Sequence, residues 1–312
     1  MWCRIRRRTA LPRKLKTVPT TTAPNSFPCS TAANCGKKVL DYAFQRGLMH
    51  PEDMGPMTHW YSPTPRVFLE HFKPEFMVQS SNNYDHPEQQ VWDCDDEKNV
   101  EHYMELTRAH IKHYGKGELF HMIGLAEWVF GSPEENLATK IRVMKTFIRH
   151  LRREYPDAPL LIASWDFMFR WKAPEVRKLL AELDPADTVI LDYTTDSGSY
   201  SNNFVNWNLP HHFPWIFGIF QAYEPQNDLF FNFDRAEEMY IPVQDDPMCR
   251  GMVIWSENSH SNPLLEYLAK RSVDEPFSLG QFCANHCGDR AAAMEGLWEI
   301  RINFSIFFRK ST

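Results

Sequence analysis

Glu127 and Glu257 each follow a short apolar run, LFHMIGLAEW at 119–128 and GMVIWSENSHSNP at 251–263, of the kind that forms a buried strand. Two carboxylates carried into one cleft by strand ends are the minimal equipment for glycoside hydrolysis. One protonates the leaving oxygen while the other attacks the anomeric carbon, or directs water at it, as oxocarbenium-like charge develops. Singly, each Glu has an ordinary structural use, in the solvated loop after a strand or as the first-turn partner of a helix dipole. The functional reading therefore depends on the elements that would bring the two together.

Those elements alternate along the chain. Helical spacing of apolar residues predicts helices at 97–114, 133–154, 173–183 and 262–271, and an earlier ordered start at KKVLDYAFQRGLM. Between them lie near-continuous apolar runs: FMVQS at 76–80, LFHMIGL at 119–125, PLLIASW at 159–165, TVILDY at 188–193, PWIFGIF at 214–220 and GMVIWS at 251–256. Runs of this kind, rich in β-branched residues, mark strands covered on both faces, as in a parallel sheet wrapped by helices. No glycine-rich nucleotide fingerprint follows any of them, so a (β/α)8 barrel is expected in preference to a doubly wound sheet.

A barrel places its chemistry at the carboxyl ends of its strands. The residues expected there are Glu127 with Trp128, Trp165 with Asp166, Asp192 with Tyr193, Gln221 with Tyr223, and Glu257 with Asn258 and His260. Acids, amides and rings suit a sugar cleft. Trp165 and Tyr223 read equally as stacking platforms or as packed rings. Asp192 reads as an acceptor for a sugar hydroxyl or as half of a salt bridge, since a carboxylate buried without a donor is costly. Asn258 and His260 read as partners orienting Glu257 or as caps of the helix that follows.

Composition narrows the class. The 312 residues carry a formal charge of −6, which argues against a general nucleic-acid binder, and no run approaches the roughly twenty apolar residues that cross a bilayer. The ten tryptophans shift the reading mildly toward sugar binding. Seven cysteines at irregular spacing fit reduced thiols better than a disulfide framework. Cys283, His286 and Cys287 lack the further ligands of a closed zinc site, so neither a metal nor another cofactor is expected. The first sixteen residues hold seven basic side chains without the apolar core of a secretory signal, which favours an intracellular location. Residues 1–36 read as disordered or linker-like, 37–290 as the barrel, and 291–312 as a tail of uncertain structure.

In these residues the chain resembles the catalytic barrel of the α-N-acetylglucosaminidases, family 89 of the glycoside hydrolases. The likeness runs from about Met57 to Arg290 through LFHMIGLAEW, PLLIASWDF, TVILDYTTD and FPWIFGIFQAY to CRGMVIWSENSHSNPLLEYLAK, the last block being the most specific. The resemblance implies Glu127 as general acid/base and Glu257 as nucleophile of a retaining mechanism, acting on a terminal α-linked N-acetylglucosamine. It also implies Trp165 and Tyr223 along the sugar subsite, with Asp192 in the same series of strand ends.

Two departures qualify what is implied. Family members commonly carry Asn immediately before the acid, where this chain has Ala126. The domains that flank the barrel in full-length relatives have no counterpart here, and six or seven recognisable strands fall short of eight. An incomplete barrel with weak or absent activity is expected. The alternatives are a retaining glycosidase of another sugar specificity, a non-catalytic carbohydrate-binding barrel, and a metal-dependent hydrolase built on histidines such as His211 and His212. A carbohydrate is the expected partner, and the oligomeric state stays open.

Overall fold

The computed structural model describes residues 29–55, 66–78, 90–125, 128–165, 167, 171–193, 203–220, 222–223, 228–229, 233–254, 262–271 and 275–308. In chain order the elements are α1 (Cys29–Phe44), β1 (Glu52–Asp53), α2 (Arg66–Phe72), α3 (Glu97–His113), β2 (Phe120–Met122), α4 (Pro133–Glu154), β3 (Leu160–Ala163), α5 (Ala173–Leu180), β4 (Thr188–Asp192), α6 (Asn203–Asn206), β5 (Trp215–Ile219), β6 (Ala222–Tyr223), β7 (Asp228–Leu229), α7 (Phe233–Tyr240), β8 (Cys249–Ile254), α8 (Asn262–Arg271), α9 (Leu279–Cys287) and α10 (Ala291–Phe308).

Six strands form one parallel sheet in the order β1-β2-β3-β4-β5-β8, and β6 pairs with β7 as a separate antiparallel ribbon. The order never reverses. A doubly wound sheet would show a switch point where it does, whereas sequential winding in one direction is the connectivity of a (β/α)8 barrel. The fold is α/β of that type. Among the described residues β1 and β8 are the two edges and no ladder joins them.

Local chemistry explains the helices. Asp96 caps α3 by accepting from the Lys98 amide at 2.9 Å, and Val100, Tyr103, Met104 and Thr107 form its buried stripe. In α4, Ser132 and Glu135 make a reciprocal capping box ahead of Pro133, and Val143, Met144, Phe147 and Leu151 face inward. Glu97 at the start of α3 meets Arg149 and His150 of α4 at 2.8 and 2.7 Å, fixing the two helices side by side.

Strand alternation divides the core into two layers. Leu160 and Ile162 of β3, Ile190 of β4, and Trp215, Phe217 and Ile219 of β5 pack with the helices into the larger layer. Ala163, Leu191, Tyr193 and Phe220 lie on the other face with Ile123, Trp165, Ile216 and Val253 around them. The second layer is the inner face of the barrel.

Several expectations are corrected here. FMVQS does not enter the sheet: Phe76 makes one isolated antiparallel bridge to Trp92, and 79–80 lie outside the described residues. The first sheet strand is instead β1, only two residues long and anchored by the Glu52 amide on Leu119 C=O and the Met54 amide on His121 C=O, at 2.8 and 3.0 Å. Helix α1 begins at Cys29, within the stretch read as linker-like, and α10 occupies most of 291–312. Among the described residues no helix is long and apolar enough to cross a membrane.

Candidate active site

Because all six strands are parallel, their carboxyl ends open on one side of the sheet, and the segments that follow β2, β3, β4, β5 and β8 leave from that side. Three of these ends converge through aromatic rings. Trp165 follows β3, Tyr193 follows β4 and Phe220 follows β5. Their ring centroids are 5.1 Å apart for Trp165 and Tyr193, 5.8 Å for Trp165 and Phe220, and 5.7 Å for Tyr193 and Phe220. All three pairs are tilted, within the separations at which rings attract beyond simple burial. Tyr193 and Phe220 are buried and Trp165 only half so, which leaves Trp165 as the ring of this group that reaches solvent.

Two hydrogen bonds hold that wall. The Tyr193 amide donates to Ser164 Oγ at 2.9 Å, and the Ser164 amide donates to Leu191 C=O at 2.9 Å, so Ser164, next to Trp165, ties the end of β3 to the end of β4. Gly218 lets β5 approach as closely: a Cβ there would stand 1.9 Å from Asp192 C=O and 3.2 Å from Tyr193 Cα. Any side chain at Gly218 would force the two strands apart.

Of the residues singled out from sequence, Trp165 lies just past the carboxyl end of β3 and is half-buried. Asp192 is the last residue of β4 and fully buried; alternation puts it on the face of Ile190 and Phe217, toward the helices, while Tyr193 faces inward. Tyr223 belongs to β6, beyond β5. Trp128 is buried in the helix-facing layer. Glu127, Asp166, Gln221, Glu257, Asn258 and His260 lie outside the described residues. Their chain positions are nonetheless bounded: Glu127 comes five residues after the end of β2, between buried Leu125 and Trp128, and Glu257 three residues after the end of β8. Phe220 was not singled out, because it closes the apolar run PWIFGIF and carries no polar atom to mark it.

The opposite end of the sheet is organised by Asp246. Its carboxylate accepts from the His211 amide at 3.1 and 3.2 Å, from Trp215 Nε1 at 3.1 Å and from the Met248 amide at 3.0 Å. Burial works to raise its pKa, but these donors and the nearby His211 ring outweigh it and hold the carboxyl below the usual range. His211 is spent on this structural pair at 3.2 Å, in a turn rather than on a strand, and the His212 ring lies 2.7 Å from Pro210 C=O. Among the described residues no cluster of metal-ligating side chains includes His211 or His212. Cys283 and Cys287 are free thiols on α9, and the His286 ring is stacked on Phe282 with centroids 4.4 Å apart. Among the described residues no set of three metal-ligating side chains gathers at the carboxyl ends of the strands.

Comparison with known proteins agrees with this architecture. Residues 50–271 match the family model described as alpha-N-acetylglucosaminidase (NAGLU) tim-barrel domain. Among solved structures, the chain is similar to a family 89 glycoside hydrolase from Clostridium perfringens in complex with PUGNAc, with a TM-score of 0.54 and 14% identity over 82% of this chain and 30% of that one. It is similar to a doubly Glu→Gln-substituted form in complex with its substrate GlcNAc-alpha-1,4-galactose, with a TM-score of 0.53 and 13% identity at the same coverage. The complex of a family 89 enzyme of the same organism with 2-acetamido-1,2-dideoxynojirmycin gives a TM-score of 0.56 and 14% identity over 88% of this chain and 30% of that one. This chain thus spans about 30% of the length of those enzymes. Curated protein sequences give no match.

Proposed function

The chain belongs to the α-N-acetylglucosaminidase barrel family, and from that premise we propose that it is a glycoside hydrolase removing a terminal α-linked N-acetylglucosamine with retention of configuration. What supports this reading is the sequentially wound parallel sheet, in which Glu127 and Glu257 follow β2 and β8 along the chain and the half-buried Trp165 follows β3.

Glu127 acts as the acid, giving its proton to the glycosidic oxygen as the bond to the anomeric carbon breaks. Glu257 attacks that carbon from the opposite face and forms a β-linked glycosyl ester. Glu127, now ionised, takes a proton from water, which displaces Glu257 and releases the sugar with its original α configuration. Trp165 and Tyr223 offer ring faces to the sugar, and Asn258 and His260 orient Glu257 or contact the substrate. Asp192 contacts a sugar hydroxyl only if its buried carboxylate opens to the cleft; otherwise it supports the strand end that carries Tyr193.

A retaining enzyme of another sugar specificity is the second reading, favoured by Ala126 where relatives place an amide beside the acid. A panel of nitrophenyl glycosides separates the two. Release from the α-N-acetylglucosaminide above all others supports the first reading; preference for a different sugar overturns it. Equal glycan binding by the unaltered chain and the Glu127→Gln/Glu257→Gln variant, with turnover by neither, assigns a binding module instead.

A further inference from the structure

The amino-terminal end of the sheet carries a group of side chains that glycoside hydrolysis does not use. Glu52 opens β1, and its side chain is fully buried. A carboxylate in that position must be paired. Its Oε1 accepts from the Lys116 amide at 2.8 Å and from the Gly117 amide at 3.4 Å, which fixes the plane of the group. Its Oε2 lies 3.0 Å from Nδ1 of His110, on the last turn of α3. Gly115 makes this approach possible, because a Cβ there would stand 1.6 Å from Oε1.

His50 completes the group. It lies two residues before Glu52, and its ring centroid is 5.8 Å from that of His110. One ring nitrogen from each histidine and one Glu52 oxygen all lie within 4.8 Å of one another. A hydrogen bond between Glu52 and His110 accounts for one contact but not for a second imidazole beside the same carboxylate.

We propose that His50, Glu52 and His110 bind a divalent transition-metal ion, with Zn²⁺ the best fit, at the amino-terminal end of the sheet. Two imidazoles and one carboxylate form a borderline donor set that suits Zn²⁺, whereas Mg²⁺ and Ca²⁺ require mostly oxygen ligands. Donor atoms bonded at about 2.0–2.2 Å to one ion lie no more than about 4.4 Å apart, so a small rotation of an imidazole closes the set. The His110 side chain, 44% exposed, has the freedom to make it and leaves a fourth position open to water. The backbone amides on Oε1 play the part of outer-shell partners that orient a ligand before the ion arrives. The bound ion would add a cross-link between the two-residue edge strand β1 and α3, which Thr107 Oγ1 already joins by donating to Asp53 C=O at 3.2 Å.

The test is titration of the tag-free full chain with Zn²⁺, followed by heat of binding and melting temperature. One equivalent should bind and raise the melting temperature, since an ion held by the folded state stabilises it. His50→Ala and His110→Ala should each weaken binding by about 100-fold or more, while a Cys283→Ser/Cys287→Ser variant binds as the unaltered chain does. Co²⁺ on the unaltered chain gives a readout that needs no variant: ligand-field bands without thiolate charge transfer are expected. Failure to bind one equivalent, binding that survives His50→Ala/His110→Ala, loss in the cysteine variant, or a thiolate band would each overturn the assignment.

Discussion

The amide of Tyr193 donates to Ser164 Oγ over 2.9 Å, and this bond sets the distance between two strand ends whose rings, Trp165 and Tyr193, stand 5.1 Å apart. The proposed function gives Trp165 of this wall a binding role and Phe220 a packing role. Trp165 is half-buried, whereas Phe220 on the same wall is buried at 4% exposure. Replacing Trp165 by Ala should raise KM for an N-acetylglucosaminide by roughly ten-fold with little change in kcat, the pattern of lost uniform binding worth about 1–1.5 kcal/mol. Phe220→Ala should instead lower stability by about 3–5 kcal/mol. Steady-state kinetics and urea melts of the two variants check the contrast; equal effects on KM would remove the platform role of Trp165.

The roles of the two glutamates differ in what each variant retains. Glu257→Ala should abolish turnover and regain it with azide, which enters the vacated space on the β face and leaves as the β-glycosyl azide. Glu127→Ala should keep activity on substrates whose leaving groups need no protonation, such as dinitrophenyl glycosides, and lose about 10²–10⁴-fold on others. Identical losses across leaving groups at Glu127 would remove its acid role.

Most of the architecture was legible in the sequence, and the exceptions have physical causes. Helix α4 matched its expected limits, 133–154, because Ser132, Pro133 and Glu135 announce a capped start and the apolar period runs uninterrupted. Helices α3 and α8 were legible for similar reasons, as were β3, β4 and β5 from their apolar runs. β1 was not, since Glu-Asp is a polar pair and its strand character comes from β2 beside it. FMVQS has strand composition, yet Phe76 pairs only with Trp92. The position of Trp165 just past the end of β3 was legible from the run PLLIAS before it. The inward face of Tyr193 and the burial of Asp192 follow from register, which pairs Asp192 with Phe217 and which composition does not reveal.

Asp246 should make stability depend on pH. Its folded-state pKa lies below the ordinary carboxylate value, so its contribution is complete above the unfolded value of about 4 and is lost as pH falls through the lower folded value. Melting temperature followed from pH 6 to pH 3 should therefore fall less steeply in Asp246→Asn than in the unaltered chain. The variant should also be less stable at pH 7, because Trp215 Nε1 and two backbone amides lose a charged acceptor, each bond of that kind contributing about 1.5–3 kcal/mol. Parallel pH profiles would contradict this role.

The strand order sets a geometric requirement on the glutamates. Three strands, β3, β4 and β5, lie between β2 and β8, and strands spaced by about 4.8 Å would put the two about 19 Å apart in a flat sheet. Direct attack by Glu257 requires the carboxyl groups to lie roughly 5–5.5 Å apart, so the sheet must curl until β2 and β8 face one another across the cleft. A crystal structure with a bound inhibitor should show that separation. About 6.5–9.5 Å would indicate inversion, and side chains at opposite ends of the sheet would remove the site.

The central claim is tested most directly by following hydrolysis of an α-N-acetylglucosaminide by proton NMR and recording the anomer that appears first. The account predicts α-N-acetylglucosamine as the initial product ahead of mutarotation, and no hydrolysis by the Glu127→Gln/Glu257→Gln variant. The β anomer appearing first, or hydrolysis equal in the chain and that variant, would contradict it.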